Sequence, residues 1–367
     1  MSRFADRIAR FKRTVDLQKR FATKRGVKPA ATHSKKMTMR IDRVACGLRR
    51  RHLLGLPLGL ALASAARPQS SDPLAFVGQD HYIFAAWGNK DTPDWKGIDA
   101  TVTRVAQVSR LLAACGVTLI APVLPDKIQL YADKLPADVS LTPEMRQRYA
   151  GILSRLQAAG VATFDDARLL QALRASGQAV YYRTDQHWAQ PAADATAQAT
   201  AELIHQKVPQ LAGQAGTGMA LGPMVNERRF GDLAERFLSA EQRHAIGREI
   251  FSVRRAAESQ SLLADAPAPV HVTGNSMVQP YFGFPQKLSN LLDRPVSVNW
   301  KPGDVGFWRV LIEYLESSSF RQQRPQVLVW QLFEPNFHLP PDARGLWDSA
   351  SVIAADAWQQ RLLTALA

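Results

Sequence analysis

The sequence is poor in cysteine, with two residues of this type among 367. Cys46 lies in a basic N-terminal stretch, which leaves Cys115 alone in the rest of the chain, within an apolar helical pattern. One cysteine cannot form an internal disulfide, and the histidines and cysteines show no spacing typical of a metal site. We therefore predict no disulfide framework, no metal centre and no cofactor, and we interpret Cys115 as a buried structural thiol.

The sequence also lacks an excess of basic charge outside its first 65 residues. The chain carries 46 Lys and Arg against 32 Asp and Glu, a formal net charge of +14. Residues 1–65 hold 17 of the basic residues and 3 of the acidic ones, so the remainder holds 29 of each sign. A neutral body has no large electrostatic footprint for phosphate backbones. We predict that the protein does not bind nucleic acid.

The basic stretch contains the parts of a secretory signal. Arg49–Arg51 precede the apolar residues 53–63, which run into Ala63-Ser64-Ala65. A charged region, a short apolar region and a small-x-small site are typical of a signal peptide, and Arg50-Arg51-His52-Leu53-Leu54 resembles a twin-arginine signal. The apolar run is too short to span a bilayer comfortably. A basic tail before a short buried helix is the alternative interpretation.

These features predict a basic extension and signal peptide over residues 1–65 and one domain over residues 66–367. Export through such a signal delivers a protein to the periplasm, either free or associated with the inner membrane. Met37 and Met39 are better placed as starts of a signal than Met1, so residues 1–36 are either a disordered extension or outside the natural protein.

Beyond residue 66, short β-branched runs alternate with amphipathic helical patterns. We predict a strand or hairpin at 76–84, strands at 117–123, 161–164, 249–254, 270–273, 296–299 and 326–331, and helices at 99–115, 143–159, 167–175, 190–206, 280–292, 306–318 and 350–366. This alternation predicts an α/β protein with a mainly parallel central sheet covered by helices on both faces. Residues 209–245 show no clean period, and we interpret them as an insertion or a flap.

The most distinctive local motif is Thr184-Asp185-Gln186-His187-Trp188. In extended chain Asp185 and His187 point to the same side. A carboxylate beside an imidazole fixes its tautomer and stabilises the imidazolium that forms when the ring accepts a proton. Alone, the motif is more typical of a polar turn before the helix at 190–206.

A second motif follows the predicted strand at 270–273. Gly274-Asn275-Ser276-Met277 places a serine on a tight turn at the carboxyl end of a strand, where α/β enzymes collect their reactive groups. Backbone N–H groups at such a turn can stabilise an oxyanion. Alone, Ser276 is more simply interpreted as a helix N-cap. Together the motifs supply a nucleophile in Ser276, a general base in His187 and an orienting carboxylate in Asp185.

Several segments resemble, in order, the SGNH-hydrolase-like domain of the alginate O-acetyltransferase family AlgJ/AlgX. They are Phe76–Phe84, Ile120–Lys127 with Tyr131, Thr184–Trp188, Gly274–Met277, Asn299–Tyr314 and Val329–Glu334. The resemblance spans roughly residues 75–340. The Asp-x-His-Trp and Gly-x-Ser elements are its most specific parts.

This resemblance implies a three-layer α/β/α SGNH fold with a rearranged motif order, and transfer of acetyl groups to hydroxyls of an exopolysaccharide in the periplasm. It assigns Ser276, His187 and Asp185 as the catalytic triad and implies oxyanion donors near Gly274, Asn275 and Gly303. It also implies three kinds of partner: a polysaccharide acceptor, a membrane-bound O-acyltransferase as acetyl donor, and other polysaccharide-secretion subunits.

The sequence departs from the family pattern around the nucleophile. Asn275 stands where an Asp is usual, Met277 where an aromatic residue often follows the serine, and Gln331 where a Glu is usual. The charge at this point is therefore lower. Aromatic residues near the predicted strand ends, Trp188 and Trp330 among them, are candidates for stacking on sugar rings, although most such residues belong to cores.

Two other functions remain open from the sequence. A secreted SGNH-type carbohydrate esterase would use the same triad and release acetate to water. A non-catalytic glycan-binding or scaffold subunit of a polysaccharide-secretion complex would keep the fold without turnover.

Overall fold

The computed structural model describes residues 74–86, 92–256 and 268–367. Its strands are β1 (Ala75–Val77), β2 (Ile83–Ala85), β3 (Thr118–Ile120), β4 (Val123–Leu124), β5 (Leu221–Arg229), β6 (Glu249–Ala256), β7 (Val270–Gly274), β8 (Val296–Trp300), β9 (Val327–Trp330) and β10 (Leu332–Phe333). The signal peptide predicted over 1–65 lies outside the described residues, and the predicted boundary at residue 65 stays a prediction.

The helices are of very different lengths. They are α1 (Trp95–Ala114), α2 (Lys127–Leu130), α3 (Pro143–Arg146), α4 (Arg148–Ala158), α5 (Asp166–Ala175), α6 (Gln190–Lys207), α7 (Asp232–Phe237), α8 (Ala240–Ile246), α9 (Phe284–Leu292), α10 (Phe307–Leu315), α11 (Ser318–Gln322) and α12 (Ala355–Leu366). Among the helices in the described ranges, none combines the length and the apolar character needed to cross a membrane.

A four-stranded parallel sheet organises the domain, in the order β3-β9-β7-β8. After Trp330 the sheet continues as a short parallel pair of β10 and β4. Because all four strands run the same way, their carboxyl ends meet at one edge, where a ligand site is expected in an open α/β sheet. β7 lies inside the sheet, so the turn that follows it opens at the middle of that edge.

Alternating side chains of the strands form two separate cores. Val327 and Val329 of β9 face one apolar cluster, and Leu328 and Trp330 face the other. Helices α6 and α9 cover the first face, whereas α1, α4, α10 and α12 cover the second. A strand that is buried on both faces reads as a continuous apolar run, which is why the sequence predicted a parallel sheet. The predicted three-layer α/β/α architecture is present.

One predicted strand lies outside the central sheet. The run at 249–254 is part of β6, which pairs with β5 in a two-stranded antiparallel ribbon outside the central sheet. The aperiodic segment 209–245 supplies β5, α7 and α8. Met224 and Ile250 are exposed on this ribbon. Without a fully buried face, β5 lacks the regular hydrophobic alternation that would have marked it.

Other differences concern the ends of elements. The strand predicted at 161–164 is a single bridge between Ala162 and Ile120, because Asp165 already caps α5. The helix predicted from 280 begins at Phe284, since Gly283 adopts a left-handed φ of 81°. The helix predicted at 143–159 is divided at Gln147, where the backbone makes a tight turn. The helices predicted at 306–318 and 350–366 are present but shorter: α10 covers Phe307–Leu315 and α12 covers Ala355–Leu366.

Asp166, the first residue of α5, is a buried carboxyl that should make stability depend on pH. Thr196 Oγ1 donates to Oδ1 at 2.8 Å, and Oδ2 has no partner in the described part of the chain. Burial raises the pKa of Asp166 from 3.8 to about 7. Between these values the folded chain retains a proton that the unfolded chain releases, so this group's contribution to stability falls as pH rises.

We therefore expect Asp166→Asn to gain about 2 kcal/mol in unfolding free energy relative to wild type when the pH is raised from about 5 to about 8. Urea denaturation of both proteins at the two pH values measures this difference. The exposed N-cap neighbour Asp165 provides the control, because Asn caps a helix equally well and the Asp165 charge is the smallest of the contributions to the pKa of Asp166; Asp165→Asn should therefore change the pH dependence far less than Asp166→Asn. If the unfolding free energies of Asp166→Asn and wild type differ by the same amount at both pH values, the raised pKa of Asp166 is contradicted.

Candidate active site

Ser276 lies immediately beyond the carboxyl end of β7. Gly274 ends the strand, and Asn275 Oδ1 accepts from Met277 N–H at 2.9 Å, so Asn275 is the cap of the helical turn Ser276–Val278. The interpretation of Ser276 as an N-cap is therefore wrong, because its neighbour fills that role. Gly274 serves close packing: a Cβ there would lie 3.1 Å from Val278 and 3.2 Å from Gln331.

The Asp-x-His motif lies on a closed loop. Tyr181 and Trp188 form an antiparallel bridge, and Tyr182 N–H donates to His187 O at 3.2 Å. Residues 182–187, which we call the triad loop, thus turn back on themselves before α6 begins. The expectation that the motif is extended is wrong, although the loop does bring the two side chains together.

The structure brings Ser276, His187 and Asp185 into one hydrogen-bonded line. His187 Nε2 lies 2.8 Å from Ser276 Oγ, and His187 Nδ1 lies 2.6 Å from Asp185 Oδ1. An ionised carboxylate only accepts, so Nδ1 carries the ring proton and Nε2 is left to accept from the Ser276 hydroxyl. The same Asp185 oxygen accepts from His187 N–H at 2.9 Å. This arrangement can remove a proton from the serine while it attacks a carbonyl carbon.

For both His187 and Asp185, burial and the neighbouring charge shift the pKa in opposite directions. Burial lowers the pKa of His187, but the adjoining Asp185 carboxylate and its hydrogen bond outweigh that effect and raise the pKa above 6.5. Burial would raise the pKa of Asp185, but the contact with His187 and its hydrogen bonds hold it well below 3.8. Asp185 is thus an anion throughout the neutral range, whereas His187 keeps its proton to a higher pH than a free imidazole does. The Phe282 ring stacks on the imidazole at 4.5 Å.

Lys127, the first residue of α2, donates hydrogen bonds to the backbone of the triad loop. Its ammonium lies 2.7–3.0 Å from four carbonyl oxygens, those of Ile83, Tyr182, Arg183 and Asp185. Burial lowers the pKa of Lys127 from 10.5 to about 8, which still leaves it mostly protonated at pH 7. The three ammonium protons therefore fix the backbone on which Asp185 stands.

Glu249 of β6 holds the other side of the triad loop. Its carboxylate accepts from Arg183 N–H at 2.9 Å, from Thr184 N–H at 2.7 Å and from Thr184 Oγ1 at 2.6 Å. Thr184 Oγ1 in turn accepts from Gly231 N–H at 2.9 Å, and a Cβ at Gly231 would lie 2.4 Å from the Thr184 carbonyl. Only glycine permits this close approach. The antiparallel ribbon and the segment before α7 are thus fastened to the triad loop.

Asp232 is a residue of this site that the sequence did not indicate. Its N–H donates to Asp185 Oδ2 at 2.9 Å, and its Oδ1 accepts from Gln186 N–H at 2.9 Å. Its Oδ2 lies 3.8 Å from His187 Nδ1. Asp232 follows the triad loop by more than 40 residues in an aperiodic segment. An Asp at the start of a helix is the only local signal there, and it has a common structural explanation.

Asp185, His187 and Asp232 are also close enough together to be considered as metal ligands, with potential ligand atoms within 4.8 Å of one another. Their facing atoms are already engaged, because Asp185 uses both oxygens within the cluster and His187 Nδ1 binds Asp185. A cation would have to displace these hydrogen bonds. The donor set suits proton handling better than metal binding.

A family model described as the SGNH hydrolase-like domain of acetyltransferase AlgX matches residues 75–334. The chain belongs to this family. The resemblance stated from the motifs is thereby confirmed, and the α/β fold agrees with it.

Individual relatives of the chain give the same result. Two proteins described as probable alginate O-acetylase AlgJ, from Pseudomonas fluorescens and Pseudomonas aeruginosa, are 24% and 26% identical over 278 and 286 residues. Each alignment covers 73% of this chain, and 69% and 71% of the respective relative. The structure of the O-acetyltransferase domain of Pseudomonas putida AlgJ superposes with a TM-score of 0.64 at 22% identity, covering 80% of this chain and 99% of that domain. This superposition establishes a shared fold.

Two aromatic residues that the sequence suggested for substrate stacking lie in the core instead. Trp188 is fully buried and stacks on Phe284 of α9, with ring centroids 5.5 Å apart. Trp330 is fully buried against Phe307 and Trp308. Neither ring has a face left for a sugar, so this part of the prediction is wrong. Each lies next to a loop residue at the site edge, but its own side chain points into a core.

The remaining candidates concern the oxyanion. Asn275 stands beside Ser276 and uses its Oδ1 for the cap, which leaves its amide nitrogen as a donor. Gly303 begins a short helical turn, Gly303–Val305, beyond the end of β8. Within the described ranges, no hydrogen bond joins Gly303 to the Ser276 turn. Its role in substrate binding stays a prediction.

Proposed function

We propose that this family member is a periplasmic O-acetyltransferase that moves acetyl groups onto hydroxyls of an exopolysaccharide through Ser276. The observation that carries the proposal is the Ser276–His187–Asp185 line, at 2.8 and 2.6 Å, in a chain of an acetyltransferase family. The polysaccharide acceptor is supported by the relatives, which are described as alginate O-acetylases.

The proposed reaction has two halves. In the first, Ser276 Oγ bonds to the acetyl carbonyl carbon while its proton passes to His187 Nε2, and the donor's leaving group departs with that proton. In the second, His187 accepts the proton of a sugar hydroxyl, whose oxygen attacks the acetyl carbon. The ester bond to Ser276 breaks, and Oγ regains the proton. Asp185 stabilises the imidazolium in both halves.

The oxyanion of each tetrahedral intermediate requires donors on the side of the nucleophile turn. In the described part of the chain the Ser276 N–H has no acceptor, so it is available for this purpose, as is the Asn275 side-chain amide. An Asn donates to an anion, whereas the Asp usual at this position would repel it. The departure at position 275 is therefore compatible with acetyl transfer.

The donor and the location are further parts of the proposal. We propose a membrane-bound O-acyltransferase as the source of the acetyl group and other polysaccharide-secretion subunits as neighbours. Export by the signal in residues 1–65 would deliver the domain to the periplasm, where such a donor and a nascent polysaccharide meet. The basic charge of the chain is concentrated in that segment.

An acetyl-ester assay tests the function directly. The purified protein is incubated with a chromogenic acetyl ester, with and without alginate oligosaccharide as acceptor, and products are separated by mass spectrometry. Acetylated oligosaccharide that forms only with active protein supports the transferase. Release of acetate alone would identify the esterase alternative, and the absence of any turnover would favour the glycan-binding subunit.

The pH dependence of kcat/KM should report the His187 base. Because His187 must be neutral to accept a proton, and its pKa is raised above 6.5, activity is expected to fall as pH decreases through a midpoint above 6.5. The midpoint belongs to the coupled cluster of His187, Asp185 and Asp232 rather than to one residue. Measuring kcat/KM between about pH 5 and pH 9 gives the midpoint. A value below that of free imidazole would contradict the assignment.

A further inference from the structure

Asp232 brings a second carboxyl group to the triad. Asp185 carries the hydrogen bond to His187 Nδ1, and the Asp232 carboxyl group stands beside that of Asp185, with a carboxylate oxygen of each within 4.8 Å of the other. Asp232 Oδ2 lies 3.8 Å from the same ring nitrogen. The proposed reaction requires only one carboxylate at this point. Two adjoining carboxyl groups cannot both ionise easily, so one of them keeps a proton.

The surroundings of the two carboxyl groups favour the proton on Asp232 rather than on Asp185. Asp185 is nearly fully buried and receives N–H donors from His187 and from Asp232, which stabilise its anion. Asp232 has one backbone donor, from Gln186, and a side chain that is 21% exposed. Burial and the Asp185 charge raise the pKa of Asp232 to about 7. A proton on Asp232 is then available to donate to Asp185.

We propose that Asp232 is a positioning residue for the triad, which holds Asp185 by a carboxyl–carboxyl hydrogen bond and adjusts the basicity of His187 through its own charge. This inference rests on the proposed function. Asp232 touches neither the serine nor the acetyl group, and it exchanges no proton with the substrate. When Asp232 ionises, its charge stabilises the imidazolium, so the base strength of His187 depends on the protonation state of Asp232.

Asp232 connects two parts of the fold, helix α7 and the triad loop. It is the first residue of α7, which belongs to the segment between β5 and β6, whereas Asp185 and His187 stand on the triad loop. Gly231 N–H and Ala234 N–H donate to Thr184 at 2.9 and 3.2 Å and fasten α7 to that loop. A displacement of α7 would therefore change the environment of His187.

Other charged and titratable groups surround this cluster. They are Tyr182 and Arg183 on the triad loop, Lys127 on α2, Arg229 on β5 and Glu249 on β6, whereas Glu235 and Arg236 of α7 are exposed. Arg229 lowers and Asp232 raises the pKa of His187. A substitution confined to position 232 leaves all of these groups in place, so a change in the titration of His187 reports Asp232 alone.

The variants Asp232→Asn and Asp232→Ala separate charge from hydrogen bonding. Asn keeps an acceptor for Gln186 N–H and a donor for Asp185, but it carries no charge. We expect kcat of Asp232→Asn at its optimal pH to stay within about threefold of wild type, and kcat of Asp232→Ala to fall by about tenfold or more. In both variants the acidic limb of kcat/KM should move to lower pH by about one unit. Glu235→Gln on the exposed side of α7 is the matched control and should move neither quantity.

A titration that does not require turnover decides the proposal. The histidines are labelled with ¹⁵N, the His187 signal is assigned with His187→Gln, and its titration is followed by NMR in wild type and in Asp232→Asn. We expect a midpoint about one unit lower in the variant, and a broad two-step curve in wild type that becomes a single step. Identical curves, or an upward shift in the variant, would overturn the proposal. If the titration shifts as expected but no protein transfers acetyl groups, the proposed function fails and the role of Asp232 in setting the basicity of His187 stands.

Discussion

Replacing Ser276 with alanine is expected to lower kcat for acetyl transfer by about a thousandfold or more, because no other hydroxyl faces His187 Nε2 within the described residues. The fold should be unaffected, since Asn275 rather than Ser276 caps the local helical turn. Initial rates with the chromogenic acetyl ester and the oligosaccharide acceptor measure the effect.

The triad also predicts that its members act as one unit. We expect His187→Ala to lower kcat about as far as Ser276→Ala, and the double variant to fall no further than either single one. Ser239→Ala is the matched control, because this serine caps α8 and lies outside the site. Turnover unchanged in Ser276→Ala would remove the triad hypothesis, and multiplying losses in the double variant would show that the two residues act separately.

Replacing Lys127 with methionine is expected to cost about 3–5 kcal/mol of unfolding free energy, because it leaves buried carbonyl oxygens of the triad loop without their donor. Methionine has a similar length and fills the same space, so the loss reports the ammonium rather than a cavity. Thermal and urea denaturation measure the change. Arginine is not a conservative replacement here, because its planar fork cannot direct three protons at this set of carbonyl groups.

The activity of Lys127→Met should fall more than its stability requires. Without the ammonium, the backbone that carries Asp185 loses its anchor, and a misplacement of about 1 Å can cost roughly a hundredfold in rate. We expect kcat of the folded protein to decrease by at least about tenfold. Lys134→Met is the control: its partner Asp80 is exposed, and loss of such a surface pair should change little. Wild-type kcat and stability in Lys127→Met would contradict the anchoring role.

The sheet could be predicted from the sequence because its strands are buried on both faces. Val327–Trp330 is an uninterrupted apolar segment for this reason, and Val270–Thr273 is rich in β-branched residues and fully buried although it includes His271; both lie in the central sheet. The ribbon of β5 and β6 could not be predicted in the same way. Its faces are partly exposed, and β5 therefore has no alternating apolar pattern.

Some residues of the site could be predicted from the sequence, and others could not. Ser276, His187 and Asp185 stand in short motifs whose residue types suggest their chemistry, and the structure places them in contact. Lys127 and Glu249 act on backbone groups of the triad loop, and such contacts leave no residue pattern in the loop itself.

Trp188 was predicted to contact the substrate, and this prediction was wrong. Proximity in sequence to His187 suggested proximity to the substrate, whereas the next side chain along the loop turns into the core. Which way a loop side chain points depends on the closed conformation of the triad loop, and that conformation is fixed by Lys127, Glu249 and Gly231 from elsewhere in the chain.

The central claim is that Ser276 carries the acetyl group between donor and acceptor. Rapid mixing of the protein with the chromogenic ester, acid quenching and peptide mass spectrometry would detect the ester directly. We expect a burst of one acetyl group per protein, located on the peptide that contains Ser276, which disappears when oligosaccharide is added and acetylated sugar forms. Turnover to acetylated sugar with Ser276 unmodified at every quench time, and without a burst, would contradict the account.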